Sequence, residues 1–160
     1  MIRNLSLILL LCAPFAVTGQ IRYSDPTNRN EAKRIAENVE RTVKVKEPKW
    51  KWKYILASEF GSHYYFKSGK KELDISIYVF DSVEEASKQL EFHGNSSSLT
   101  ASLELKGVGD EGFYISHQYF SWIGVRKGRR LVVVHGPGPN LTVTMRFVSY
   151  GLAEMESKPN

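Results

Sequence analysis

Residues 103–135 constrain the fold most strongly, because they contain two strand-like runs joined by a tight turn. The runs 120–126 and 129–135 are rich in β-branched and aromatic residues, which favour strands. Lys127 and Gly128 lie between them and fit a two-residue hairpin turn in which glycine supplies the positive φ. The sequence therefore predicts a β-hairpin with a register set by that turn.

The predicted hairpin carries apolar residues on both of its faces. Residues 123, 132 and 134 would share one face, and residues 120, 122, 131 and 133 the other. Strands that are apolar on both faces lie inside a sheet, so we expect the hairpin at the centre with a helix on at least one face. The predicted register pairs Phe120 with His135, which favours a strand-end role for His135 over a role as catalytic base.

The sequence before the hairpin, Gly-Val-Gly-Asp-Glu-Gly at 107–112, matches the GxGxxG pattern of dinucleotide-binding turns. In such turns a helix follows and its N-terminus binds the pyrophosphate. Here Asp110 and Glu111 would meet the phosphates with negative charge, and strand-like sequence follows. We expect a turn in which one acidic residue caps loop amides. Neighbouring strand carboxylates point to opposite faces, so the pair is not expected to share a substrate, and calcium-loop spacing is absent.

The N-terminus has the pattern of a secretory signal peptide. Arg3 precedes a short apolar run, and small residues allow cleavage near Gly19. The run is short for a transmembrane helix. Cys12 is the only cysteine, and Leu11 directly before it makes lipoprotein anchoring at Cys12 the weaker alternative. We expect a secreted or periplasmic chain whose mature form lacks disulfides and cysteine-bound metal.

The chain is 160 residues long with 42% apolar side chains, enough for one domain with its own core. We expect a signal peptide over residues 1–19, a flexible lead-in over 20–30, and a single domain over 31–156. The predicted class is α+β, with an antiparallel sheet and two or three helices packed mainly on one face.

Helical spacing predicts two helices, over residues 31–42 and 83–92. Asn30 would cap the first, and a capping box from Ser82 to Glu85 would begin the second.

The C-terminal third leaves two segments open. Residues 140–155 fit a helix capped by Asn140 or a strand; the helical stripe continues past the point where alternation fails, which favours the helix. Residues 99–106 fit a short strand or a helix equally well.

Alternation with period two predicts a three-stranded meander from residues 43–60, 63–67 and 73–80. In the first strand, lysines alternate with Val43, Val45, Trp50, Trp52 and Tyr54. The aromatic residues would face inward and the lysines outward.

The formal net charge of +5 suggests anionic partners for an exported chain, such as phospholipid head groups or acidic polysaccharide. The candidate anionic-ligand surface comprises nine basic residues: Lys44, Lys46, Lys49, Lys51, Lys53, Arg126, Lys127, Arg129 and Arg130. The interleaved lysines and aromatics of 49–54 are also typical of single-strand nucleic-acid platforms. Alternation sends the two sets to opposite faces, so no nucleic-acid partner is expected, and the lysines would guard an edge strand.

No catalytic or metal-binding motif is visible. The four histidines, at 63, 93, 117 and 135, lack HxH and HExxH spacing, and no GxSxG element occurs. We expect no catalytic residue, metal or cofactor. A hydrolase or other enzyme with an unmarked site is the alternative, and it would need a pocket that brings a histidine, a carboxylate and a serine within hydrogen-bond reach. Asn95 and Asn140 begin N-glycosylation sequons, relevant only in a source that glycosylates.

Several motifs together resemble those of bacterial extracytoplasmic domains. They are Phe-Asp-Ser-Val-Glu-Glu-Ala at 80–86, the glycine-rich run 107–113, and Val-Arg-Lys-Gly at 125–128 before the run of valines. In these the chain resembles the sensor domains of mycobacterial receptor kinases and the lipoproteins related to the PsbP/LpqN group, although it lacks the cysteines of the kinase sensors. The resemblance implies a sheet with helices on one side and a ligand- or partner-binding role.

Together these patterns predict an exported, non-catalytic binding or sensing module of the cell envelope or extracellular space. Its partner would be an anionic lipid or polysaccharide, or an envelope protein. Besides the enzyme, a structural component of envelope assembly is an alternative, which predicts self-association through an edge strand.

Overall fold

A computed structural model describes residues 25–58, 61–97 and 100–156, with backbone alone over 53–58. The predicted signal peptide, including Cys12, lies outside the described residues. The three helices are α1 (Pro26–Lys46), α2 (Val83–Asn95) and α3 (Leu141–Glu156). The seven strands are β1 (Lys51–Ser58), β2 (Gly61–Ser68), β3 (Lys71–Val79), β4 (Leu103–Glu104), β5 (Glu111–Ser116), β6 (Phe120–Lys127) and β7 (Arg130–Pro137).

The strands form one sheet in the order β1-β2-β3-β7-β6-β5-β4, and every neighbouring pair is antiparallel. The meander β1-β2-β3 and the hairpin β6-β7 are both confirmed. β7 is the central strand, and it pairs with β3 to join the N-terminal and C-terminal parts of the sheet. The hairpin therefore lies at the centre of the sheet, as its two apolar faces predict.

Helices cover the two faces of the sheet unequally. α1 and α3 pack on one face over a core that includes Ile35, Phe147 and Val134. α2 packs on the other face, where Leu90 meets a smaller core that includes Leu131. The α+β class and the placement of helices mainly on one face are confirmed.

The hairpin register differs from the predicted one. Lys127 pairs with Arg130, so Gly128 and Arg129 form the two-residue loop, and Gly128 takes a φ of +57°. A positive φ at only the first loop position is the pattern of a type II′ turn, which asks for glycine there. Trp122, not Phe120, lies opposite His135. The observed pairing is therefore shifted by two residues from the predicted one. Because side chains alternate with a period of two, every side chain still lies on its predicted face.

α1 begins earlier and ends later than predicted. The Asp25 side chain accepts a hydrogen bond of 2.7 Å from the Thr27 amide, and Pro26 occupies the first turn. Residues 26–30 are therefore helix and not lead-in, because an aspartate cap followed by proline is a strong start signal. The helix also continues through Val43, which is buried, and Val45, which is 81% exposed. The strand predicted for residues 43–46 is wrong; the apolar stripe against the sheet outweighs the β-branched alternation.

The remaining helices follow their sequence signals. Ser82 caps α2 by accepting a hydrogen bond of 3.1 Å from the Glu85 amide, as the capping box predicts. The tail is the helix α3, and the Asn140 side chain accepts from the Thr142 amide at 2.9 Å. Within residues 100–106 the ambiguous segment forms only the short strand β4. No helix in the described part of the chain is both long and apolar enough to span a bilayer.

Candidate functional site

A cluster of histidine, acidic and aromatic side chains lies on the face of the sheet that carries α2. We name it the histidine face, and its members are His63, Asp74, Ser76, Tyr78, His93, Trp122 and His135. They come from β2, β3, β6, β7 and α2. Segments far apart in sequence therefore contribute to one surface.

Strand alternation explains how these side chains come together. Asp74, Ser76 and Tyr78 occupy every second position of β3 and face away from the core beneath α1 and α3. The register places His63 of β2 opposite Ser76, and His135 of β7 opposite Asp74. The next strand adds Trp122, which pairs with His135. The cluster thus follows directly from register across four neighbouring strands.

Two histidine hydrogen bonds organise the polar part of the face. His135 Nδ1 lies 3.0 Å from Asp74 Oδ2, and His63 Nδ1 lies 2.6 Å from Ser76 Oγ. The side chain of His135 is 42% exposed and that of Asp74 is 19% exposed, whereas Ser76 is only 4% exposed. The histidine–aspartate pair is accessible from solvent, and the serine hydroxyl is enclosed.

Aromatic rings surround these polar groups at short range. The Trp122 and His135 ring centres are 4.4 Å apart, and His93 approaches Trp122 at 6.1 Å and Tyr78 at 5.5 Å. The two contacts of Trp122 are edge to face, an arrangement that is favourable for aromatic pairs, and the Tyr78–His93 pair is tilted. The indole Nε1 of Trp122 is buried with no acceptor among the described residues. Such unpaired buried donors are rare in folded proteins.

The surroundings shift the protonation of three members of the face. Burial, reinforced by the nearby His135 and His63, lowers the pKa of His93 to about 4. Burial also lowers the pKa of His63, although the Asp74 charge opposes that effect. Burial raises the pKa of Tyr78. At neutral pH the imidazoles of His63 and His93 and the phenol of Tyr78 are uncharged.

The arrangement suits hydrogen bonding better than nucleophilic attack. Ser76 is within reach of His63, but its hydroxyl is too enclosed to meet a substrate. Among residues 25–58, 61–97 and 100–156, no group of three or more histidine, cysteine or acidic side chains is placed to hold a metal ion. A separate groove of about 350 Å³ between α2 and β5 has no histidine in its lining.

The structure does not bring the nine predicted anion-binding residues together. β3 runs from Lys71 at one end of the sheet to Val79 at the other. Lys51 lies near the Lys71 end, because it pairs with Lys67 of β2. Arg130 lies at the Val79 end, because it pairs with Val79. Lys44 and Lys46 lie in the last turn of α1, and Lys51 and the backbone of Lys53 lie in the first half of β1. Lys49 lies in the connection between these two elements. At the opposite end, Arg129 lies in the β6–β7 turn, and Arg126, Lys127 and Arg130 flank it.

The arginines near the β6–β7 turn are used inside the protein. Glu31 of α1 accepts hydrogen bonds from Arg129 and Arg130, with an N–O distance of 2.5 Å in each ion pair. The Arg126 side chain is 7% exposed and forms ion pairs with Asp110 at 3.2 Å and Glu111 at 3.0 Å. The contacts of Glu31 hold α1 against the sheet, and those of Arg126 hold the glycine-rich loop against it.

Asp110 caps a loop amide, as expected for the glycine-rich segment. Its carboxylate accepts a hydrogen bond of 2.7 Å from the Gly128 amide, and that bond, with Lys127 and Arg126 nearby, lowers its pKa. The prediction that Asp110 and Glu111 point apart is wrong, since both contact Arg126. Asp110 precedes β5 and is not bound by strand alternation. Their shared partner is an internal guanidinium.

Comparisons with known proteins do not place the chain in a family. No protein-family model matches the chain, and no curated protein matches it significantly. A crystal structure of a GTP-binding regulator from Thermotoga maritima is similar over 79% of this chain and 93% of its own, with 15% identity and a TM-score of 0.48.

Sequence reasoning missed the histidine face as a site. Its histidines have no mutual spacing, because each enters from a different element. One signal was present: polar residues at 74, 76 and 78 alternate with the apolar residues of β3. Such alternation shows a half-exposed face but does not reveal which residues of other strands will lie beside it.

Proposed function

We propose that the protein is an exported, non-catalytic binding module whose ligand lies on the histidine face. The observation that carries this proposal is the convergence of three histidines, an aspartate, a tyrosine and a tryptophan from five separate elements onto a partly exposed surface. Small-molecule sites usually combine a few convergent polar groups with aromatic side chains.

The exposed polar groups define the chemistry of the ligand. Asp74 offers carboxylate oxygens, and His135 points its Nδ1 toward that carboxylate, which leaves Nε2 as the ring nitrogen free for a ligand. Both groups favour a partner that brings hydroxyl or amino donors. The rings of Tyr78 and Trp122 provide apolar surface beside them. A small ligand with donors along one edge and an apolar face fits these groups.

NMR of the histidine ring signals tests this proposal on the chain that begins at Gln20, the form expected after removal of the signal peptide. The probes are methyl β-glucoside, N-acetylglucosamine and putrescine, which offer hydroxyl or amino donors. We expect at least one probe to shift the ring signals of His63 and His135 saturably, while His117, outside the cluster, stays unchanged. Equal responses of all histidines, or none to any probe, would contradict the proposal.

The Asp74–His135 pair also supports a second candidate, an acid–base enzyme, because an oriented and exposed imidazole is a common general base. The two are separated with p-nitrophenyl acetate and p-nitrophenyl glycosides. Turnover that His135→Gln abolishes would establish the enzyme and overturn the non-catalytic proposal. If the unaltered protein and His135→Gln turn these substrates over equally, the turnover is background and the binding proposal stands.

Export rests on the N-terminal sequence pattern alone, and it has a direct test. We expect the protein recovered outside the cytoplasm to begin near Gln20, which N-terminal sequencing would show. An intact N-terminus on protein found only in the cytoplasm would contradict export.

A further inference from the structure

One end of the sheet carries a set of lysines that we name the lysine end: Lys46, Lys49, Lys51, Lys67, Lys70 and Lys71. All six side chains are exposed. They gather there because α1 ends, β1 begins and the β2–β3 turn lies at the same end. The lysine end includes three lysines of the predicted anion-binding set, Lys46, Lys49 and Lys51, and it excludes every arginine of that set.

The charges of the lysine end are poorly balanced by the protein itself. Lys51 lies directly opposite Lys67 in the β1–β2 pair, and like charges in that position are destabilising. Lys67 has Glu72 at 3.8 Å. Within the described parts of the chain, Lys49, Lys70 and Lys71 have no ion-pair partner. At the opposite end, by contrast, Arg126, Lys127, Arg129 and Arg130 each meet a carboxylate.

Exposed apolar side chains occur among these lysines. Val45 is 81% exposed in the last turn of α1, and Trp52 is 43% exposed beside Lys51. Tyr119 is 75% exposed and directly precedes β6, whose first residue pairs with the last residue of β7. β7 is antiparallel to β3, so Tyr119 projects from the same end of the sheet as Lys71.

We propose that the lysine end binds the surface of a membrane containing anionic phospholipids. Lysines attract acidic head groups, and tryptophan and tyrosine favour the head-group region, where an aromatic ring can be partly apolar and partly hydrated. A soluble acidic polysaccharide would use the lysines but would give no reason for Val45 to protrude. The combination of charge and exposed apolar side chains selects the membrane.

This docking would set the orientation of the domain. The strands run from the lysine end toward the β6–β7 turn, so the sheet would stand upright on the membrane. Asp74 and His135 lie partway along the strands, on the side of the sheet. The histidine face would therefore stay accessible while the protein is bound. The membrane site is independent of the ligand proposed for that face, and either can fail without the other.

Vesicle flotation with matched charge variants tests the proposal on the exported form. The probes are vesicles of phosphatidylcholine with about 30% phosphatidylglycerol and vesicles of phosphatidylcholine alone. The test variant is Lys51→Gln/Lys70→Gln/Lys71→Gln. The control is Lys33→Gln/Lys88→Gln/Lys106→Gln, which removes the same charge from exposed lysines outside the lysine end.

We expect binding to the anionic vesicles alone, weakened roughly 100-fold in the test variant and unchanged or only slightly weakened in the control, since each lysine near such a surface contributes about fivefold. Added salt should weaken it further. Trp52→Phe should remove a blue shift of tryptophan fluorescence seen on binding.

Three results would overturn the proposal. The first is equal weakening in both variants, which means that net charge alone drives binding. The second is no binding to the anionic vesicles. The third is binding to soluble alginate, an acidic polysaccharide, that the test variant weakens while the protein does not bind the vesicles. That result would show that the lysine end binds polysaccharide.

Discussion

Asp74 Oδ2 lies 3.0 Å from His135 Nδ1, across the β3–β7 pair that joins the two parts of the sheet. The same carboxylate acts on His63, whose pKa it raises against the lowering effect of burial. One acidic side chain thus influences two histidines on neighbouring strands.

Asp74→Asn should lower the pKa of His63 still further, because it removes the charge that opposes burial. The measurement is a pH titration of the His63 ring signals by NMR. Asp81→Asn serves as the control, since Asp81 accepts a hydrogen bond from Asn28 and lies outside the cluster. A rise in the His63 pKa in the Asp74 variant would contradict the electrostatic account of the face.

Acid should destabilise the protein through His93. Its pKa falls from 6.5 when unfolded to about 4 when folded, so the unfolded state binds more protons between those values. The stability that depends on neutral His93 is fully present above pH 6.5 and is lost as the pH falls toward 4. His63 acts in the same direction.

His93→Phe should flatten this dependence while keeping a ring between Tyr78 and Trp122. Urea unfolding at a series of pH values measures it. His117→Phe, which changes a histidine outside the cluster, is the matched variant and should keep the acid loss. If His93→Phe retained the full loss between pH 6.5 and 4, the assignment to His93 would be wrong.

Tyr64→Phe should stabilise the protein by about 1 kcal/mol. The Tyr64 hydroxyl is buried with no hydrogen-bond partner among the described residues, and burial raises its pKa to about 12. Removing the hydroxyl removes a desolvated polar group and keeps the ring in the core. Tyr150→Phe is the control, because the Tyr150 hydroxyl donates to Glu47 at 3.1 Å and its loss should destabilise. Thermal unfolding of both variants should show shifts of opposite sign.

Glu31→Ala should destabilise the protein by about 1–2 kcal/mol, because it removes the partner of both Arg129 and Arg130. The partial exposure of Arg129 limits the loss through solvent screening. Glu84→Ala removes an exposed ion pair with Lys88 within α2 and should cost much less. Urea unfolding compares the two. Equal losses would show that Glu31 contributes no more than an ordinary surface charge.

The sequence predicted the parts of the fold that depend on local chemistry. The capping box at Ser82, the faces of the β6–β7 hairpin and the start of α3 at Asn140 all follow from neighbouring residues. The exact hairpin pairing was missed because Lys127-Gly128 and Gly128-Arg129 both offer a glycine turn. The predicted α1 is too short because the helix-start signal of Asp25 and Pro26 lies within the segment predicted as a flexible lead-in.

The candidate site was less predictable because its geometry is set between elements. The pairing of β3 with β7 puts Asp74 beside His135, and nothing near either residue in sequence indicates that contact. The basic residues were visible, but their division between opposite ends of the sheet depends on the same long-range pairing. Charge alone could not show which of them already had internal partners.

The position of β3 between β2 and β7 has a consequence for how the chain acquires its structure. One edge of β3 can pair with β2 through a short turn as soon as both are synthesised. Its other edge stays unpaired until β7 is synthesised. Among the described residues β7 is the last strand, and it follows α2 and three further strands. Until residue 137 has emerged, Ile75 and Ile77 belong to a strand with an open, apolar edge, the kind that promotes aggregation. Truncation before β7 should therefore yield insoluble chains.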